Sequence, residues 1–344
     1  MGRLVLASIA ATCGLLLACD KNESSGLVAP ARDAAPAGAA GGLLMARTQG
    51  IVLRDMASGT EYLVKAHPSA QTFYTFPRWS PDGTRIAYGI SIQYTGNPNQ
   101  DWGGDVAVSN SDGSAETIVF KRPQAGVDIY GLAWAPDGAA LYLGVLTTTI
   151  KDGRFLGQTA SVERLDLASG ARTTVVGEGL YPTVSPDGTR LAYVVVGTAD
   201  RNDGLWTAMA DGSDRQLLVP LTDAIVSVMH PRFSPDGSRI AFAAVVFASQ
   251  PSPPPTPKQG VRWPWQPDPA AAHGLPMDVW TVATGGGMPQ RLTNLVEDEP
   301  APAWSPDGSE LAIMATGGLY RVPASGGQAR KIGLGAFGGQ ADWR

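Results

Sequence analysis

The chain has 344 residues, 44% of them hydrophobic and 17% charged, with 42 glycines, 27 prolines and a formal net charge of −5. Such a length and apolar share allow a large buried core, and frequent glycine and proline with sparse charge fit turn-rich β structure better than helices. A negative chain lacks the basic surface that displaces counterions from phosphates, so nucleic acid is excluded as a partner.

Met1-Gly2-Arg3 opens with one positive charge, and the apolar run from Leu4 to Leu17 is shorter than the roughly 20 residues that cross a bilayer. Residues 1–18 read as an export signal. The run ends in Leu16-Leu17-Ala18-Cys19, which resembles the bacterial lipobox and implies that Cys19 is the lipidated first mature residue, holding the protein to a membrane of the cell envelope. The alternative is an ordinary secretory signal cleaved nearby. The other cysteine, Cys13, lies inside the leader, so the mature chain has no disulfide. Asp20 follows Cys19 directly, and the leaflet stays open. Residues 19–42 are small, polar and broken by proline and glycine, the composition of a flexible tether.

From residue 43 to 344 alternating apolar runs continue to the end. Five segments are near-copies of one another: Pro77–Tyr88 (PRWSPDGTRIAY), Leu132–Leu143 (LAWAPDGAALYL), Pro182–Tyr193 (PTVSPDGTRLAY), Pro231–Phe242 (PRFSPDGSRIAF) and Pro302–Ile313 (PAWSPDGSELAI). Each reads as a β-hairpin whose turn uses proline to preset φ, aspartate to bond local amides, and glycine for the left-handed conformation. A turn used five times is scaffold, so Asp82, Asp137, Asp187, Asp236 and Asp307 are structural. A second hairpin follows each: Asp105–Phe120, Ser161–Val176, Gly204–Pro220, Asp278–Thr293 and Gly317–Gly333. Four antiparallel strands per repeat is the period of a propeller blade.

The two ends complete each other. Leu43–Lys65 reads as three strands lacking a first, and Gly338–Trp343 as a first strand lacking the rest. The expected fold is therefore an all-β, six-bladed β-propeller of four-stranded antiparallel blades, its ring closed by the C-terminal strand pairing with the N-terminal three. Trp79, Trp134, Trp206, Trp280, Trp304 and Trp343 are expected as core between blades.

The aromatic-Ser-Pro-Asp-Gly repeat resembles that of TolB-type β-propellers over nearly all of the chain after the tether. The resemblance implies the fold and an envelope setting with a partner to bind. It leaves the activity open, because such propellers do many things.

Antiparallel strands place the inter-blade loops and the loops between second and third strands at the end opposite the Ser-Pro-Asp-Gly turns. The long insertions Ser91–Gly104, Thr147–Thr159 and Phe247–Met277 lie there. Their aromatics, Tyr94, Trp102, Phe155, Trp263 and Trp265, are candidate contacts for an envelope protein or peptide; the alternative for the proline-rich insertion is a plain lid. The residue before the aromatic of each innermost strand, or before Val184 in the one copy without an aromatic, is Asp342, Arg78, Ala133, Thr183, Arg232 and Ala303 in turn. This pattern gives either an Asp342–Arg78 ion pair or a channel lining in which Arg78 and Arg232 bind a glycan or small polar or anionic ligand. Glu297-Asp298-Glu299 reads as solvated rim.

Catalytic motifs are not found: there is no Gly-x-Ser-x-Gly elbow, His-Glu-x-x-His pair, phosphate loop or calcium loop. His67, His230 and His273 leave a metal-assisted lyase or hydrolase as the enzymatic alternative. The expectation is a non-enzymatic, monomeric binding platform with no cofactor and no metal.

Overall fold

The computed structural model describes residues 32–33, 41–97, 100–152, 154–196, 203–246, 276–336 and 340–344. Cys19 with its leader, Trp263, Trp265 and His273 fall outside them.

Among the described residues, twenty-five strands follow in chain order. They begin with β1 (Arg32–Asp33), β2 (Leu43–Arg47), β3 (Gly50–Arg54) and β4 (Glu61–Ala66). Next come β5 (Thr72–Trp79), β6 (Arg85–Ile92), β7 (Gly103–Asn110) and β8 (Thr117–Phe120), then β9 (Val127–Trp134), β10 (Ala140–Lys151), β11 (Arg154–Asp166) and β12 (Arg172–Val176). The chain continues with β13 (Leu180–Val184), β14 (Arg190–Val195), β15 (Gly204–Met209) and β16 (Gln216–Pro220), and with β17 (Ile225–Phe233), β18 (Arg239–Val246), β19 (Asp278–Ala283) and β20 (Gln290–Arg291). It ends with β21 (Ala301–Trp304), β22 (Glu310–Ala315), β23 (Gly318–Pro323), β24 (Arg330–Gly333) and β25 (Ala341–Trp343).

The strands form five hydrogen-bonded sheets, which corrects the expectation of six separate ones. Three are the expected antiparallel four-stranded sheets, β13–β16, β17–β20 and β21–β24. A five-stranded sheet runs β1-β4-β3-β2-β25, with β1 parallel to β4 and with Leu43, Leu44 and Met45 opposite Trp343, Asp342 and Ala341. The fifth sheet has eight strands because β5–β8 and β9–β12 are joined by a parallel bridge between Gly103 and Val127. Gly103 permits this join: at φ 123°, a Cβ there would lie 2.1 Å from the Val127 carbonyl oxygen.

The hydrophobic pattern of each strand explains the stacking. Successive side chains of a strand point to opposite faces, so a strand buried on both faces serves two neighbours. Leu44, Ile51 and Leu53 pack with Tyr74, Trp79, Ile86 and Tyr88 of the next unit. Leu43, Met45 and Val52, one residue out of phase, pack with Ala303, Ala312, Met314 and Leu319. The innermost strands β5, β9, β13, β17 and β21 each contact the next, and β25 contacts both β21 and β5. Trp79, Trp134 and Trp304 are buried as expected, whereas Trp206, Trp280 and Trp343 are only half-buried.

The repeated turn works as the residue types require. In four copies the serine hydroxyl donates to the aspartate, as Ser80 to Asp82 Oδ1 at 2.5 Å, and accepts the amide of the residue five places on, Arg85 N–H at 2.9 Å. The aspartate also takes the amide two residues on, as from Thr84 at 3.0 Å. These bonds, the serine's first, hold the Asp236 and Asp307 carboxyls down to about 2. The second copy has Ala135 and Ala139 in place of the hydroxyls and keeps only the Ala139 amide bond to Asp137 at 2.9 Å.

Candidate functional site

Two places gather the candidate residues. At the turn end, the last residues of the innermost strands surround a cavity of about 330 Å3, lined by Arg78, Arg232, Asp342, Thr183, Arg344 and the tryptophans Trp79, Trp134 and Trp343 among others. The structure thus brings together Arg78 and Arg232, two residues singled out from the sequence.

Arg78 is buried, and its guanidinium donates to the carbonyls of Pro77 (2.7 Å) and Ala341 (3.3 Å) and to Gln340 Oε1 (3.4 Å). Burial lowers it to about 10, with the charge of Asp342 working the other way. The expected Arg78–Asp342 ion pair is corrected: Asp342 accepts the Trp79 amide at 2.8 Å, and the two charges act on one another without bonding. Burial raises the Asp342 carboxyl from its ordinary value, which Arg78 partly counters. Arg232 is half-buried and donates Nη1 to Pro231 O at 3.2 Å, while its buried Nε meets no acceptor.

Behind this ring of residues, two positions earlier on their strands, lies a layer that the sequence reading missed. Phe76, Tyr181 and His230 each precede a proline and all have positive φ, 51°, 54° and 53°. The Tyr181 ring lies 4.8 Å from His230, 6.1 Å from Tyr130 and 6.3 Å from Phe76, centroid to centroid. Gln340 Nε2 bonds His230 Nδ1 at 3.3 Å, linking this layer to Arg78. Burial, and then the Arg78 charge, push the His230 ring down to about 3, so it is neutral near pH 7. The signal available in the sequence was the thrice-repeated ring-Pro pair ahead of the turn.

The opposite end carries the described parts of the Ser91–Gly104 and Thr147–Thr159 insertions, while residues 247–275 of the third lie outside the described residues. The expected loop Thr147–Thr159 is corrected to a long hairpin, β10 pairing with β11 from Ala140–Asp166 out to Lys151–Arg154. At its tip Phe155 is 57% and Leu156 61% exposed. Tyr94 and Trp102 are half-buried and packed on one another, centroids 5.0 Å apart, beneath a loop that Gln100 fastens to Thr95 N (2.8 Å) and Gln93 O (2.6 Å). These two aromatics are therefore partly used up inside their own loop.

The acidic run is more than solvated rim. Glu297 bonds the Tyr320 hydroxyl and the Gly317 amide, and burial with the Asp298 charge raises Glu299 to about 7. His67 uses both ring nitrogens, Nε2 toward Arg47 O at 2.9 Å and Nδ1 accepting the Tyr74 amide at 3.1 Å. Among the described residues, no three His, Cys, Asp or Glu side chains converge as metal ligands would.

No protein-family model matches the chain, and no curated protein matches it. Solved structures do. TolB from Acinetobacter baumannii aligns over 88% of this chain and 66% of its own, with a TM-score of 0.55 and 15% identity. A chain of a nidogen/laminin complex aligns over 82% and 89% (TM-score 0.54, 12% identity). An oligogalacturonate lyase in complex with manganese aligns over 83% and 70% (TM-score 0.50, 15% identity). At such identities the likeness is one of fold: a TolB-like β-propeller of four-stranded antiparallel sheets. The chain spans just under two thirds of the TolB length.

Proposed function

We propose that this protein is a lipid-anchored propeller of the cell envelope that binds a protein or peptide partner through its loop-rich face and performs no chemistry of its own. The observation that carries the reading is the β10–β11 hairpin, a ladder of paired strands that presents Phe155 and Leu156 to solvent. Large apolar side chains held out on a stiff element are what an interface buries at its centre. The TolB likeness agrees with such a role, while the lyase likeness is the argument for a metal-assisted lyase instead. Binding is preferred because His67 has both ring nitrogens, and His230 its Nδ1, hydrogen-bonded within the fold.

The test is recovery of partners from envelope extract by the wild type and by a Phe155→Ser, Leu156→Ser double variant. The expected outcome is a partner lost with the variant; identical recovery overturns this face as the contact. Lipid attachment is checked by labelling with a radioactive fatty acid: Cys19→Ser is expected to lose the label, and a label that persists refutes Cys19 as the anchor.

In this reading the eight-stranded sheet counts as two blades, giving six blades closed between β25 and β2. Support comes from six apolar clusters, one between each unit and the next. Removing residues 340–344 is expected to lower the melting temperature cooperatively, and an unchanged melting curve contradicts closure.

A further inference from the structure

We propose that the cavity at the turn end is a binding site for a small molecule bearing an oxyanion, carboxylate or phosphate, gripped between Arg78 and Arg232. The site lies on the face opposite the partner-binding hairpin and does not depend on that reading.

The cavity's size is the first ground. About 330 Å3 falls at the lower end of small-molecule sites, which begin near roughly 300 Å3. The cavity is also backed by the Phe76, Tyr181 and His230 layer, with Gln340 tied to both His230 and Arg78. A ligand entering from the turn end therefore meets a floor.

Charge is the second ground. Two arginines on different innermost strands line one cavity, and burial leaves Arg78, at about 10, still protonated near neutral pH. Arg232 spends a single bond on the neighbouring Pro231 carbonyl, and its Nε is enclosed without an acceptor. A planar guanidinium suits carboxylate or phosphate oxygens in pairs. Arg344 adds a third positive charge at the rim, its Nη1 donating to the carbonyls of Ser80 and Pro81. Asp342 is the opposing charge, and it sits against Arg78 rather than Arg232.

Preorganisation is the third ground. Trp134 Nε1 donates to Arg78 O at 3.2 Å and Trp304 Nε1 to Arg232 O at 3.1 Å, so an indole fixes the backbone of each arginine. A site whose donors are already placed spends less of its binding energy on ordering them.

The experiment is calorimetric titration of the mature protein at low salt with inorganic phosphate and with glucuronate, using glucose as the uncharged comparison. Saturable binding of at least one anion is expected, weakened about tenfold or more by Arg232→Ala and unaffected by Arg330→Ala, an exposed arginine elsewhere. Asp342→Asn keeps an oxygen for the Trp79 amide and removes the fixed negative charge. It is expected to tighten binding several-fold, an effect that simple loss of structure does not produce. Phosphate binding alone identifies a phosphate ligand, and glucuronate binding alone a carboxylate. The proposal is overturned if neither anion saturates in the millimolar range, or if binding survives Arg232→Ala undiminished.

Discussion

The indole nitrogen of Trp134 donates to the carbonyl oxygen of Arg78 across the gap between two strand units, and Trp304 repeats the bond to Arg232. Each indole is covered by an arginine from the unit to which it reaches: Arg85 lies 5.0 Å over Trp134 and Arg239 4.9 Å over Trp304. The tryptophan of one repeat thus sets the cavity-lining residue of the repeat before it. The third and fourth repeats have Val184 and Phe233 at this place, which carry no donor.

Trp304 separates packing from hydrogen bonding. Trp304→Phe keeps an aromatic ring and loses the donor, a change expected to cost about 1 kcal/mol. Trp304→Ala empties a buried site and is expected to cost about 3–5 kcal/mol. Urea unfolding of the two variants checks the ratio, and a Trp304→Phe protein as stable as the wild type refutes the separate role of the indole bond.

Much of this was legible in the sequence because it is local. The Ser-Pro-Asp-Gly turn is a hydrogen-bonding unit complete within six residues, and five copies place ten strands before any contact is considered. The equivalence of Arg78, Arg232 and Asp342 was legible by the same alignment of copies. What those residues bond was not, because Asp342 answers to the Trp79 amide and Arg78 to Gln340 and Ala341, distant along the chain. Fusion of two units through Gly103 and Val127 depends on backbone approach, which side-chain patterning does not encode. The long hairpin reads as a loop insertion from its length, although Thr147-Thr148-Thr149-Ile150 is β-branched throughout, a strand signal.

The weakest turn is open to repair. Ala135 and Ala139 stand where the other copies have a serine and a serine or threonine, and only the Ala139 amide reaches Asp137. Ala135→Ser with Ala139→Thr is expected to restore the hydroxyl bonds seen at Ser80 and Thr84. At about 0.5–1.5 kcal/mol for each bond, the melting temperature should rise measurably; a fall shows that the Ala135 site lacks room for the hydroxyl.

Gly131 is a second point of sensitivity. It stands in β9 at the position of Phe76, Tyr181 and His230, at φ 100°, and a Cβ there would lie 2.7 Å from the Tyr181 Cα. Gly131→Ala must move backbone as well as adopt an unfavourable φ, and is expected to cost about 1–3 kcal/mol. Chemical unfolding measures it, with Gly170→Ala as the comparison, a turn glycine at φ 70° with open space around it. Equal losses would mean that φ alone matters and the close approach to Tyr181 does not.

Buried His230 and half-buried Glu299 give the protein opposing responses to pH. His230 is pushed down to about 3, below its ordinary 6.5, first by burial and then by Arg78. Protonation therefore favours the unfolded chain, and its contribution to stability is complete above about 6.5 and declines as pH falls from there toward 3. Glu299 is pushed up to about 7 from an ordinary 4.5, first by burial and then by Asp298. Its protonated form suits the fold, so its contribution is complete below about 4.5 and is lost as pH rises toward 7. Between pH 4.5 and 6.5 the two slopes oppose, and substitution uncovers each in turn. Glu299→Gln is expected to make the melting temperature rise more steeply with pH across that window, because the histidine effect remains, and His67, also lowered by burial, adds to it. His230→Gln is expected to tilt the curve the other way. Melting curves at several pH values for the three proteins test the assignment, and parallel profiles would show that neither group's titration is coupled to folding.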